Sequence, residues 1–407
     1  MKSGWEAKPL AEIADFYNGL WKGEKPPFSK VGVIRNTNFR MDGSLDDSDI
    51  AYLDVETKKL STRTLEKGDI VLEKSGGGPK QPVGRVALFE GLEGTYSFSN
   101  FTSAIRVKRP DQLFYRYLHL FLYEKYISGI TESMQSHSTG IRNLDGDAYK
   151  GIEVNFPPLP EQKRIVFVLD KAFAAIATAK ENAEKNLMNA RALFDRNLAA
   201  SLLDPKWKWT SLGEVCLKVE YGSSAKSKRV GKIPVLRMGN IQDGRFTWDD
   251  LVYSDNQAEI DKYRLKSDDV LFNRTNSAEL VGKSAIYKGE APAIFAGYLI
   301  RIHRRDEVLD GDYLNYYLNS KHARDYGKTV AISSVNQANI NGKKLMSYPI
   351  PVPPMADQKV IVKKLSVLSE KSKQLETIYR EKMSQLEFLK KSILQKAFAG
   401  ELSGAQV

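Results

Sequence analysis

One cysteine, Cys216, in 407 residues excludes an internal disulfide framework and makes a reducing cytoplasm the expected home of the chain. No run of about 18 apolar residues occurs, so a membrane span is not expected. The opening Met1-Lys2-Ser3-Gly4-Trp5-Glu6 lacks the apolar core of a secretory signal. Histidine is scarce too: His119, His137, His303 and His322 show no ligand pairing, so no metal site is expected. The glycine-rich Lys74-Ser75-Gly76-Gly77-Gly78-Pro79-Lys80 lacks the Gly-Lys-Ser/Thr ending of a phosphate loop and reads as a loop of another kind. Asn155-Phe156-Pro157-Pro158 has the wrong order for an amino-methyltransferase tetrapeptide. Asp69 and Glu73 leave a metal-dependent nuclease as one alternative, although the second half of the chain carries Asn273-Arg274 at the corresponding place. With no catalytic constellation found, a binding protein is the expected class.

An excess of charge is also missing where it would be most informative. The net charge is +11, yet residues 1–156 hold 21 Lys and Arg against 21 Asp and Glu, and residues 205–350 hold 23 against 17. Contact with a polyanion must therefore come from local placement of cations rather than from a strongly basic globule. With 42% hydrophobic residues, the chain is long enough for two or more cored domains.

What is present is a repeat. Pro157-Pro158-Leu159-Pro160-Glu161-Gln162-Lys163-Arg164-Ile165-Val166 recurs as Pro353-Pro354-Met355-Ala356-Asp357-Gln358-Lys359-Val360-Ile361-Val362. Proline restricts the residue before it, and its missing N–H costs nothing in a first helical turn, so each copy opens a helix. Glu161 and Asp357 then meet the positive end of each helix dipole. Steps of four and three residues give one seam through Ile165, Leu169, Ile176 and Leu193 and a second through Ile361, Leu365, Leu368, Leu375, Leu386, Leu389 and Ile393. At 1.5 Å per residue, about 40 residues make a rod of roughly 60 Å. The matched register predicts that the two helices pack antiparallel as a coiled-coil spacer, spanning 157–204 and 351–407.

The two globular segments, 1–156 and 205–350, repeat one another as well. Val33-Ile34-Arg35-Asn36-Thr37-Asn38 matches Val235-Leu236-Arg237-Met238-Gly239-Asn240, Leu65 to Leu72 matches Leu265 to Phe272, and Ile105-Arg106-Val107 matches Ile300-Arg301-Ile302. Short alternating runs bounded by Gly, Asn and Asp read as strands, and each half turns helical, at Leu113 to Tyr126 and at Asp312 to Tyr326. The expected fold is α+β: two similar α/β domains and two long antiparallel helices, an internal duplication with pseudo-two-fold symmetry.

This arrangement resembles the specificity subunit of Type I restriction-modification enzymes. The resemblance rests on the duplicated helix starts, the twin Leu-x-x-Gly/Asp-Asp-Ile/Val-Leu strands and the period of the repeat, and it covers essentially the whole chain. It implies two target recognition domains, at 1–156 and 205–350, each reading half of a bipartite site in double-stranded DNA. It also implies helices that dock two copies of a DNA adenine methyltransferase subunit, and restriction/translocase subunits that join the complex. No cofactor is then expected on this chain: S-adenosylmethionine belongs to the modification subunit, and ATP and Mg to the restriction subunit. Ala356-Asp357 departs from Pro160-Glu161 only in helix-cap detail.

Base edges are read by Arg or Lys paired with guanine and by Asn or Gln paired with adenine, here sought in loops. In the first half these are Lys22; Arg35, Asn36 and Asn38; Lys74, Ser75, Lys80 and Gln81; and Ser138, Thr139, Arg142 and Asn143. In the second they are Lys226 and Lys228; Arg237 and Asn240; Arg274, Thr275, Asn276 and Ser277; and Asn336 and Gln337. Because the two sets differ, the half-sites are expected to differ. The rival is a coiled-coil adaptor that joins partner proteins without reading DNA.

Overall fold

The computed structural model describes residues 4–20, 25–78, 81–138, 141–334 and 337–402. It divides into two compact units, Met1–Ala183 with Glu381–Val407, and Glu184–Arg380. This division differs from a cut at the helix starts, because each long helix contributes to both units.

The first unit is built on a four-stranded antiparallel sheet ordered Ala14–Asn18, Thr102–Val107, Ile70–Glu73, Val86–Leu88. Beside it lies a three-stranded sheet in which Phe28–Ile34 pairs antiparallel with Ala51–Glu56 and parallel with Tyr96–Phe98. A hairpin of Gln135–Ser138 and Ile141–Leu144 takes Ser75–Gly77 as its third strand. The strands are apolar where both faces are covered: Ile70, Val71 and Leu72 are all buried. Helix Tyr115–Ile127 packs into the same core.

The second unit repeats this strand for strand. Cys216–Tyr221, Leu299–Arg304, Val270–Asn273 and Ser284–Ile286 form the four-stranded sheet, and Val252–Ser254, Ile233–Leu236 and Ile294–Phe295 the three-stranded one. The hairpin of Ile332–Ser334 and Gln337–Asn339 pairs with Thr275–Asn276. Even the turn before the central strand agrees: Gly68 and Asp268 both take positive φ, +97° and +70°. Asp69 and Asp269 then accept from the backbone N–H of Glu66 and Lys266, each at 2.8 Å.

The long helices run Leu159–Leu202 and Met355–Phe398. In the first unit Ile165 and Leu169 cluster with Leu394, Ala397 and Phe398, and Lys180 pairs with Glu387 at 2.6 Å. In the second unit Leu198 and Leu202 cluster with Ile361 and Leu365, and Arg191 pairs with Glu376 at 2.7 Å. In each unit the start of one helix meets the end of the other, so the pairing is antiparallel. No helix among the described residues is long and apolar enough to cross a membrane.

Each helix is anchored by a residue that the proline reading passes over. Gln162 is fully buried; its Oε1 accepts from the N–H of Phe114 at 2.8 Å, and its Nε2 donates to the carbonyls of Gln112 and Pro157 at 2.8 and 2.7 Å. Gln358 does the same with the N–H of Asp310 and the carbonyls of Val308 and Pro353, each at 2.8 Å. A single amide, using donor and acceptor together, ties the first turn of each helix to the loop before a helix of its own globule.

The seam needs correction. Ile165, Leu169, Ile176, Ile361 and Leu365 are buried, and Leu368, Leu386 and Ile393 are half-buried, but Leu193, Leu375 and Leu389 are exposed. Strict alternation of four and three residues assumes a period of 3.5, and an α-helix of 3.6 drifts about 20° per heptad away from it. The covered line therefore takes two successive steps of four. It passes to Leu187, Ala190 and Phe194 on the first helix, and to Glu376, Met383 and Lys390 on the second.

Candidate nucleic-acid interface

Two of the residues chosen as base readers are instead struts. Asn38 is buried; its Oδ1 accepts from the N–H of Arg35 at 2.9 Å, and its Nδ2 donates to the carbonyls of Asp46 and Asp49 at 3.1 and 3.0 Å. Asn240 is also buried, accepting from the N–H of Arg237 and donating to the carbonyl of Asp249, both at 2.9 Å. Their hydrogen-bonding capacity is committed to closing a turn, which leaves no edge for a base. Arg35 and Arg237 remain at the surface of those turns, held at one corner by the Asp49 carbonyl at 3.2 Å and the Asp250 carboxylate at 3.0 Å.

In the first unit the structure gathers loops that are far apart in sequence. Lys74 Nζ donates to Asn18 Oδ1 at 2.8 Å, Asn36 Nδ2 to the Ser75 carbonyl at 2.7 Å, and Ser75 Oγ to Asn143 Oδ1 at 2.6 Å. Partial burial lowers the pKa of Lys74 from its ordinary value. Asn143 lies opposite Ser75, and Arg142 opposite Gly77, in the three-stranded hairpin sheet. Gly77 suits this position because a Cβ there would stand 2.7 Å from the Gln81 carbonyl oxygen. Gln81 closes the Gly78 turn, and with its amide oxygen facing Arg85 it accepts from that guanidinium. Lys22, Lys80, Thr139 and Asn336 lie outside the described residues; Ser138 ends its strand opposite Ile141.

The cluster rests on buried charge. Arg85 forms a two-pronged pair with Glu73, at 2.6 and 3.0 Å, and donates to the carbonyls of Phe39 and Asn36. Arg106 forks onto Asp69, both contacts at 2.7 Å. These pairings overturn the nuclease alternative. Asp69 and Glu73 are buried and each is matched by a guanidinium, so neither carboxylate is available to a metal. No group of three potential metal ligands occurs among the described residues.

The second unit uses the same frame with other side chains. The Arg274 guanidinium lies over the Tyr221 ring at 4.9 Å and reaches Asn339 Oδ1 at 3.4 Å. Thr275 is buried and accepts from Asn339 Nδ2 at 2.7 Å, so it holds the hairpin and does not face outward; here too the structure corrects the choice. Asn276 pairs with Ala338 and caps the N–H of Ser277 at 2.8 Å, while Gln337 pairs with Ser334. Arg237 and Lys228 make their contacts elsewhere, with Asp250 and Asp255, each at 3.0 Å, and Lys226 is exposed. Buried Asn273 stands where the first unit has Glu73, so the Glu73–Arg85 pair has no twin.

Comparison with known proteins adds an independent line. The model of the Type I restriction modification DNA specificity domain matches residues 2–186 and 205–382. The EcoKI specificity subunit of Escherichia coli K12 is 24% identical over 99% of this chain and 90% of its own length. The StySPI specificity subunit of Salmonella potsdam is 25% identical over the same shares. Among solved structures, a chain from a study of complex assembly and conformational transition of the type I R-M system superposes with a TM-score of 0.78 at 20% identity, covering 98% of both chains. The HsdS subunit from Thermoanaerobacter tengcongensis superposes with a TM-score of 0.61 at 19% identity, covering 99% of this chain and 98% of its own. Two family matches falling on two strand-for-strand copies of one fold, each with a loop cluster on the same frame, place this chain in the Type I restriction modification DNA specificity family.

Proposed function

We propose that the chain is the DNA-specificity subunit of a Type I restriction-modification complex, without catalysis of its own, and that each loop cluster reads one half of an asymmetric bipartite site. The observation carrying this reading is the repetition of one frame with different side chains on its loops and hairpin sheet: Lys74, Ser75, Arg142 and Asn143 in one copy, Arg274, Asn276 and Gln337 in the other. A shared frame presents a loop to a groove in the same way twice, and different donors and acceptors select different bases.

The exposed apolar residues of the long helices fit a docking role. Phe167 and Phe388 in the first unit, and Val360, Val367 and Ile378 in the second, stay between 46% and 74% exposed. In this reading the helices take two copies of a DNA adenine methyltransferase subunit, which supplies S-adenosylmethionine. Restriction/translocase subunits carrying ATP and Mg join them, all in the cytoplasm.

Selection from random-sequence duplexes by the chain together with its modification subunits tests the proposal. It should recover two short unlike motifs at one fixed gap. A pool showing no enrichment at physiological salt would favour the adaptor without DNA readout.

A further inference from the structure

Two aromatic rings stand at the same place in the two units and pack into neither core. Phe101 is 44% exposed and Tyr298 52% exposed. Each is the third residue of a tight turn that links the Tyr96–Phe98 or Ile294–Phe295 strand of the three-stranded sheet to the Thr102–Val107 or Leu299–Arg304 strand of the four-stranded sheet. Ser99-Asn100-Phe101-Thr102 is closed by the Thr102 N–H donating to the Ser99 carbonyl, and Ala296-Gly297-Tyr298-Leu299 by the Leu299 N–H donating to the Ala296 carbonyl, both at 2.9 Å.

These turns are rigidly held. Ser99 bridges Leu20 and Ala296 bridges Ser223. The close approach depends on glycine: a Cβ at Gly19 would lie 1.7 Å from the Ser99 oxygen, and one at Gly222 would lie 2.3 Å from the Phe295 oxygen. The carbonyl of each aromatic residue also receives the backbone N–H of the first residue of the outward loop, Lys74 to Phe101 and Arg274 to Tyr298, both at 3.0 Å. The aromatic residue and the basic residue are thereby held as backbone neighbours on both units.

An aromatic ring held on a tight turn, outside every core cluster and next in the backbone to a lysine or arginine, is left about half exposed, and a ligand would complete its burial. The adjoining cation selects a ligand that carries anionic groups along with flat apolar faces, which is the chemistry of nucleic acid. We infer that Phe101 and Tyr298 are stacking wedges, each inserting against an opened base step within its half-site. An enzyme that modifies a base in duplex DNA must take that base out of the stack, and a ring at the opened step offsets the lost stacking. The inference rests on the reading of the loop clusters as half-site readers.

The test uses the chain assembled with its modification subunits and a duplex carrying the selected bipartite motif, with 2-aminopurine placed in turn at each position of both half-sites. One position per half-site should brighten on binding. Phe101→Ala should remove the signal in one half-site and Tyr298→Ala in the other, each with roughly tenfold weaker binding, as for loss of one base–aromatic stack. Tyr298→Phe should keep both. Melting temperature and selected motif should stay as in the parent, because neither ring packs into a core. Brightening that survives both alanine substitutions, with the motif intact, overturns the wedge and leaves the half-site reading standing. A parent complex with no sequence preference overturns both.

Discussion

Gln358 spends one acceptor and two donors on three backbone groups while wholly buried. Gln358→Leu keeps the bulk and strands the N–H of Asp310 with the carbonyls of Val308 and Pro353. Each stranded buried group costs about 1–3 kcal/mol, so thermal melting of the second unit should show a loss of at least ~3 kcal/mol; parental stability would contradict the clamp. His119 carries a second prediction at this scale. Burial pushes its pKa down to about 4 from an ordinary 6.5. As pH falls below 6.5, the unfolded chain takes up a proton that the folded chain refuses until about pH 4, so stability drops across that window. Denaturation measured between pH 7 and pH 4 should lose less in His119→Phe than in the parent, by roughly 3 kcal/mol at most. Parallel pH profiles for the two would show that this histidine is not the cause.

The elements show why some of this was open to sequence reasoning and some was not. Both helix starts, several of the short strands and the order of the repeat followed from proline placement, alternation and self-similarity, whereas the pairing of strands into sheets did not. The helix seam failed at Leu193, Leu375 and Leu389 because a small error in period grows along 44 residues. Asn38 and Asn143 look alike in a sequence; only the fold shows that one closes a turn and the other meets Ser75 across a sheet. The duplicated glutamine was visible, but two of its three partners in each copy lie about 50 residues away and leave no local trace. The helix pairs in the two units also bear on how the gap between half-sites is set. Four residues inserted after both Ala183 and Arg380 preserve the contacts inside each unit. They add at most ~6 Å to each helix, against ~3.4 Å per base pair. Methylation mapping should then return the same half-sites one or two base pairs further apart. An unchanged gap in an active complex would show that the helices do not set it.

At the scale of the whole molecule, duplication produces one frame twice, and in the proposed reading divergence of the loops makes each copy a separate reader. The claim reduces to independence: altering one loop cluster must change one half of the site and leave the other alone. Arg274→Ala removes a guanidinium held over Tyr221 at the edge of the hairpin sheet and leaves buried Thr275 and its Asn339 partner in place. Loss of one paired base contact costs about 1–3 kcal/mol at a single position. Genome-wide mapping of methylated adenines, in cells carrying either the parent or the Arg274→Ala chain with its modification subunits, measures this directly. The account predicts one asymmetric bipartite motif for the parent and, for the variant, a relaxed or altered preference confined to one half at an unchanged gap. A variant that weakens at both halves alike, or a parent motif that is one contiguous block, would contradict it.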